Sequence, residues 1–207
     1  MNFKDRKDAG QRLSQALLKY KKAPQTVAIG LPRGGVVVAS IVAQTLQISL
    51  DIIVPRKIGA PFNEELAIGA IAGDIVWLDQ KIIAAVGANG AYIDKIVAKE
   101  KQEAQRRLSL FRKNKTPQNF EGLTVLLIDD GIATGSTMRA SILWMKKSKA
   151  KRIVVAVPIG PPDTIEELKQ EVDEMICLFK PDSFMGVSQF YDQFPQVEDQ
   201  EVMELLK

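Results

Sequence analysis

Short unbroken apolar runs alternate along this chain with longer stretches in which apolar residues recur at helical spacing. The runs at 26–30, 50–55, 123–129, 152–158 and 175–179 read as strands. The run Val125-Leu126-Leu127-Ile128 has no polar alternation, which suits a parallel strand covered on both faces. Residues 9–20, 36–46, 136–147 and 164–171 read as helices. In the first of these, Leu13, Ala16, Leu17 and Tyr20 share one face. Residues 91–111 form a longer amphipathic pattern, with Ile93, Ile96, Val97, Ala104, Leu108 and Phe111 on one side and Lys, Glu, Gln and Arg on the other. The runs 66–72 and 75–78 flank Gly73-Asp74 as a hairpin would, 56–65 reads as a polar loop, and 184–207 reads as irregular chain before a short helix. Strands alternating with helices predict an α/β fold: a mostly parallel central sheet flanked by helices and joined by right-handed crossovers. The 207 residues suit one domain, 1–207, with 82–122 as a helical insertion or lobe.

Composition narrows the chemistry. The chain is 46% hydrophobic and 26% charged, with a net charge of +3. That is too small and too dispersed an excess for a nucleic-acid partner, which needs a clustered basic face. The run Lys146-Lys147-Ser148-Lys149-Ala150-Lys151-Arg152 reads as a solvated helix end. There is no histidine, so imidazole bases, triads and metal sites are excluded, and any chemistry falls to carboxylates, Lys, Arg, hydroxyls and backbone N–H groups. The single cysteine, Cys177, lies in an apolar run and reads as a buried strand thiol; one cysteine forms no internal disulfide and fits a reducing compartment. The first residues are polar, with no apolar signal region, and no apolar run is long enough for a bilayer. The expectation is a cytoplasmic protein with no membrane partner, and a homodimer is left open.

The most informative stretch is Val125-Leu126-Leu127-Ile128-Asp129-Asp130-Gly131-Ile132-Ala133-Thr134-Gly135-Ser136-Thr137. A buried strand ends in two carboxylates, and a small, hydroxyl-rich turn then opens a helix. Neighbouring side chains on extended chain point apart, so Asp129 and Asp130 need not share one task. Vicinal sugar hydroxyls are natural donors to such acids. Free N–H groups and hydroxyls at a helix N-terminus bind phosphate. One loop is therefore suited to hold a ribose at one end and its 5-phosphate at the other. Neither G-x-x-x-x-G-K-[ST] nor a strand-borne G-x-G-x-x-G occurs, which excludes those phosphate folds. Gly30-Leu31-Pro32-Arg33-Gly34-Gly35 also follows a strand and precedes a helix; its glycines admit an anion to the backbone, and Arg33 adds a forked cation. Alone it is an ordinary Gly-rich turn.

The 125–137 stretch resembles the signature that binds 5-phosphoribosyl-1-pyrophosphate (PRPP) in type I phosphoribosyltransferases. Phe3-x-Asp5-Arg6-x-x-Ala9-Gly10, Leu31-Pro32-Arg33-Gly34-Gly35, Arg56-Lys57-Ile58-Gly59, Glu65-Leu66-Ala67-Ile68-Gly69-Ala70 and Tyr191-x-x-Phe194-x-Gln196-Val197 resemble a subgroup of stand-alone bacterial members, sometimes fused to hydrolase domains. The resemblance implies the type I fold with a small hood, 184–207 being part of it, and Mg²⁺ carried by PRPP and waters with no direct protein ligand. It implies ribose binding by Asp129 and Asp130, and 5-phosphate binding by Ala133, Thr134, Gly135, Ser136 and Thr137. Pyrophosphate would fall to Arg33, Gly34, Gly35 and Lys57, in a first loop that often carries a strained peptide. The catalytic set is then Asp129, Asp130, Arg33 and Lys57, with 56–65 as the flexible loop; Glu64 and Glu65 are the only guesses for a general base. Phe184, Phe190 and Tyr191 are candidates to stack on an acceptor, although aromatics more often simply pack.

Two departures stand inside the signature. Gly131 replaces a small aliphatic residue, and Ala133 stands where 6-oxopurine enzymes carry Asp, which speaks against hypoxanthine, guanine or xanthine as acceptor. The implied activity is transfer of the phosphoribosyl group to an acceptor, a nucleobase in the first instance, with release of pyrophosphate. A PRPP-sensing regulator and an enzyme of another ribose phosphate are the alternatives.

Overall fold

In the computed structural model, which describes residues 2–113 and 119–207, the unbroken apolar runs become one sheet. β1 (Thr26–Gly30), β2 (Ser49–Ile52), β6 (Thr124–Ile128), β7 (Arg152–Ile159) and β8 (Glu174–Phe179) pair in parallel in the order β2-β1-β6-β7-β8. The strand period of two splits their side chains between two cores. Val27, Ile29, Val125, Leu127, Val155 and Val157 face α5 (Ser136–Lys147) and α6 (Pro162–Lys169). Ala28, Leu126, Ile128, Val154 and Ala156 face α1 (Arg6–Ala16) and α2 (Gly34–Leu46). Both faces are thus covered, as a parallel sheet requires.

Between β2 and β6 the chain builds a second, antiparallel sheet of β3 (Arg56–Ala60), β4 (Asn63–Ala72) and β5 (Ile75–Leu78), followed by α3 (Gln80–Val86) and α4 (Gly90–Arg112). Here the expectation of a polar loop at 56–65 is corrected: β3 pairs with β4 from Arg56↔Ile71 to Ala60↔Asn63, with irregular register around Gly59. Burial decides it, because Ile58 and Ala60 lie in a core shared by α4, α2 and α7 (Asp199–Leu205). The helix α3 was not expected either. Asp79 caps it by accepting from the N–H groups of Lys81 (3.0 Å) and Ile82 (3.1 Å), and Gly87 closes it at φ +64°. The expected lobe 82–122 holds most of α3 and all of α4; its residues 114–118 lie outside the described residues.

The ends of the chain meet at the rim of the main sheet. Phe3 is fully buried and bridges to Tyr191, donating its N–H to the Phe190 carbonyl at 2.8 Å and accepting from the Asp192 N–H at 2.9 Å. Among the described residues no helix is long and apolar enough to cross a membrane.

Candidate functional site

Register places the site. β1 and β6 are neighbours, paired in step from Thr26↔Thr124 to Gly30↔Ile128, so both strands end at one level. The loops that follow emerge side by side, and the Leu31 N–H reaches the Ile128 carbonyl at 3.0 Å. This is the carboxyl edge of a parallel sheet, where open α/β folds place ligands.

The second acid, Asp130, is held from three directions. Arg6 donates from Nε to its Oδ2 at 2.7 Å, and the Tyr191 hydroxyl donates to its backbone carbonyl at 2.6 Å. Gly34 of the neighbouring loop lies so close that a Cβ there would stand 1.9 Å from Asp130 Oδ2. Asp129 accepts the Asp130 N–H on its Oδ1 at 2.8 Å, and that oxygen would be 2.7 Å from a Cβ on Gly35. The glycines at 34 and 35 are therefore required by the acids of the other loop. Asp129 is half-buried. Burial first, then the charge of Asp130, push it well above the usual carboxylate range. Burial likewise pushes the Tyr191 hydroxyl up, with the Asp130 charge adding to it.

The hydroxyl-rich turn forms as expected. Gly135 adopts φ +76° and precedes α5 without a side-chain cap bond, so free N–H groups are presented there. Thr134 and Ser136 share a hydroxyl hydrogen bond of 3.1 Å, and Thr164 donates to the Ala133 carbonyl at 3.2 Å, tying the turn to α6. A cavity of about 220 Å³ lies over this turn, lined by Gly131 to Thr137 together with Lys57, Ala67 and Val187.

Of the other expected residues, Lys57 joins this cavity, and its Nζ also reaches the Glu65 side chain at 3.1 Å and the Glu65 carbonyl at 3.2 Å. Glu64 and Glu65 line an adjoining cleft with Arg56, Lys57, Lys99 and Glu100. The guanidinium of Arg33 turns toward α7, 3.6 Å from Asp199. The Pro32–Arg33 peptide is cis.

Phe190 and Tyr191 are core residues, packed as the plainer reading of these aromatics has it. Phe190 packs between Phe179 and Phe184, and Tyr191 between Phe3 and Phe194. Phe184 stacks on Phe190 at 5.7 Å and stays partly exposed. The hood residue that does line the cavity is Val187, which fills the space a side chain on Gly131 would need: a Cβ there would be 2.6 Å from Val187 Cγ1. In the sequence nothing marks Arg6 or Val187 for this edge beyond their places in the Phe3-x-Asp5-Arg6 motif and in the hood stretch.

Among the described residues no cluster of three or more acidic, histidine or cysteine side chains converges as a metal cage would. Oxygen donors are available at Asp129 and Asp130, which suit a hard cation that keeps its waters.

The model of the phosphoribosyl transferase domain family matches residues 2–195. A protein of Mycobacterium tuberculosis, named provisionally as a phosphoribosyl transferase, is 40% identical over 205 residues, covering 99% of this chain and 46% of that protein. The chain thus spans about half the length of the curated relatives it matches. The crystal structure of TT1426 from Thermus thermophilus superposes with a TM-score of 0.80 at 36% identity, covering 100% of this chain and 98% of the other. A purine phosphoribosyltransferase from Pyrococcus horikoshii, at 20% identity and a TM-score of 0.50 over 92% and 90% of the two chains, shares the fold.

Proposed function

The chain belongs to the phosphoribosyl transferase domain family, and from that premise we propose that it binds PRPP with Mg²⁺ and transfers the phosphoribosyl group to an acceptor, releasing pyrophosphate. The observation that carries this reading is the common level at which β1 and β6 end, which sets an acid pair, a helix-opening hydroxyl turn and a glycine loop edge to edge. A ribose 5-phosphate fits that order: its phosphate on the free N–H groups and hydroxyls of 134–137, its ring hydroxyls on Asp129 and Asp130.

The bond from C1 to the pyrophosphate oxygen breaks with its electron pair leaving on pyrophosphate. An acceptor nitrogen forms the new bond on the opposite face and releases its proton to water. Positive charge grows at C1, as in glycosyl transfer generally, so catalysis is positioning and leaving-group stabilisation. Lys57 and the N–H groups of Gly34 and Gly35 take pyrophosphate charge, and Arg33 joins them once it exchanges Asp199 for the anion. Bound Mg²⁺ supplies further neutralisation, and Asp129 and Asp130 would meet its waters. The acceptor is a planar nitrogen heterocycle, a nucleobase first. It approaches past Val187, with no carboxylate at position 133 to read a 6-oxopurine.

Asp129→Asn combined with Asp130→Asn is expected to abolish Mg²⁺-dependent PRPP binding in calorimetry while circular dichroism stays native. Unchanged affinity would refute the site. Pyrophosphate release across a panel of nucleobases separates the transferase from a sensor of PRPP, which would bind and release nothing.

A further inference from the structure

We infer that Arg6 is a positioning residue of the PRPP site, fixing the carboxylate of Asp130 and offsetting its charge where a polyanionic sugar must bind. The inference rests on the reading of 129–137 as that site. Arg6 lies at the first turn of α1, far in sequence from the acids, yet only 8% of its surface is exposed. Its donors are spent in two directions: Nε on Asp130 Oδ2 at 2.7 Å, and Nη1 on the Pro195 carbonyl at 2.7 Å. The guanidinium carbon lies over the Phe194 ring, 3.7 Å from its centre. A planar fork seated on an aromatic face and pinned to a main-chain carbonyl has little freedom left, so it holds its partner in one place.

Charge gives the second half of the argument. The Asp130 carboxylate, beside a phosphate turn, repels the ligand that the turn attracts. Arg6 offsets that charge through its ion pair and, like Asp130 itself, stands outside the lining of the cavity over the turn. Gly34 closes the arrangement, because the space its missing Cβ would take is filled by Asp130 Oδ2 and Arg6 Nε, 1.9 Å and 2.6 Å away. Asp130 is thereby fixed relative to both ligand loops at once. A lysine would keep the charge but not the fork.

The test is PRPP affinity with Mg²⁺, measured by calorimetry beside the melting temperature, in the unaltered chain and in R6M, R6K and L17A. Removing one partner of a buried ion pair leaves the other uncompensated. R6M is expected to weaken PRPP binding by about tenfold or more, the scale of a lost charged contact. R6K should recover part of that loss. Leu17 is fully buried at the far end of α1, so L17A loosens the seating of the same helix away from the ion pair, and should lower the melting temperature while leaving affinity within about twofold. The inference is overturned if R6M binds like the unaltered chain, if R6K is no better than R6M, or if L17A loses as much affinity as R6M. Should R6M fail to fold, R6Q takes its place, keeping an N–H donor without the charge. A chain that binds no PRPP before any substitution sinks the site reading itself, whereas normal binding with an indifferent R6M sinks only this inference.

Discussion

Gly131 shows how a single missing Cβ is decided by a residue far along the chain. Its departure from the family signature was visible in the sequence, but its cause was not, because Val187 arrives from the hood only after folding. A Cβ at 131 would fall 2.6 Å from Val187 Cγ1 and 2.9 Å from Ile159 Cγ2. Gly131→Ala is therefore expected to cost about 1–3 kcal/mol in urea denaturation, the range for overpacking, and adding Val187→Ala should return most of it. Asp129 carries a different kind of cost. Its native pKa lies above its unfolded value, so ionising it opposes folding. That penalty is absent below the unfolded value near 3.8, grows as pH rises toward the native value and is complete above it. Asp129→Asn should raise the melting temperature of the ligand-free chain at neutral pH, with the gap narrowing as the pH is lowered; a lower melting temperature at neutral pH would contradict the burial argument. Cys177 lies in β8 as expected, half-buried where full burial was expected; burial pushes its thiol up to about 11 and its Sγ–H donates to the Phe179 carbonyl at 3.2 Å.

At the scale of elements, legibility followed the reach of the forces involved. Strands β1 and β6 and helix α5 could be read within a residue or two because their signals are local: unbroken apolar runs and a small-residue turn before helical spacing. Strand β3 was missed because Arg56 and Lys57 made 56–65 look like solvent-facing chain, while the pairing with β4 and the cover of α4 lie outside any local window. The start of α1 was read late, at residue 9, although Asp5 is a capping residue by type; its side chain accepts the Asp8 N–H at 2.8 Å. That cap also fixes the turn bearing Arg6. Asp5→Ala should cost about 1 kcal/mol by denaturation, as lost N-caps do, and should weaken PRPP binding less than Arg6→Met does. Asp129 to Thr137 was legible as a candidate site because strand, acids and turn are contiguous. Arg6 and Val187 were not legible as parts of it, since tertiary closure alone brings them there.

For the whole molecule, the candidate site is where the first and last described segments meet the central sheet. Phe3 and Arg6 come from one end, Tyr191, Pro195 and Asp199 from the other, and all converge on the two loops beyond β1 and β6. The Arg33–Asp199 contact is the loosest of these joints. At 3.6 Å it is too long for a hydrogen bond, and Asp199 Oδ1 is buried with no hydrogen-bond partner. A guanidinium held so lightly is on loan to the last helix. An incoming diphosphate would reclaim it, and α7 would surrender a tether at the moment the active face fills. Amide hydrogen exchange along 199–205 should then quicken on addition of PRPP and Mg²⁺ while the strands slow, and uniform slowing would mean that Arg33 stays where it is.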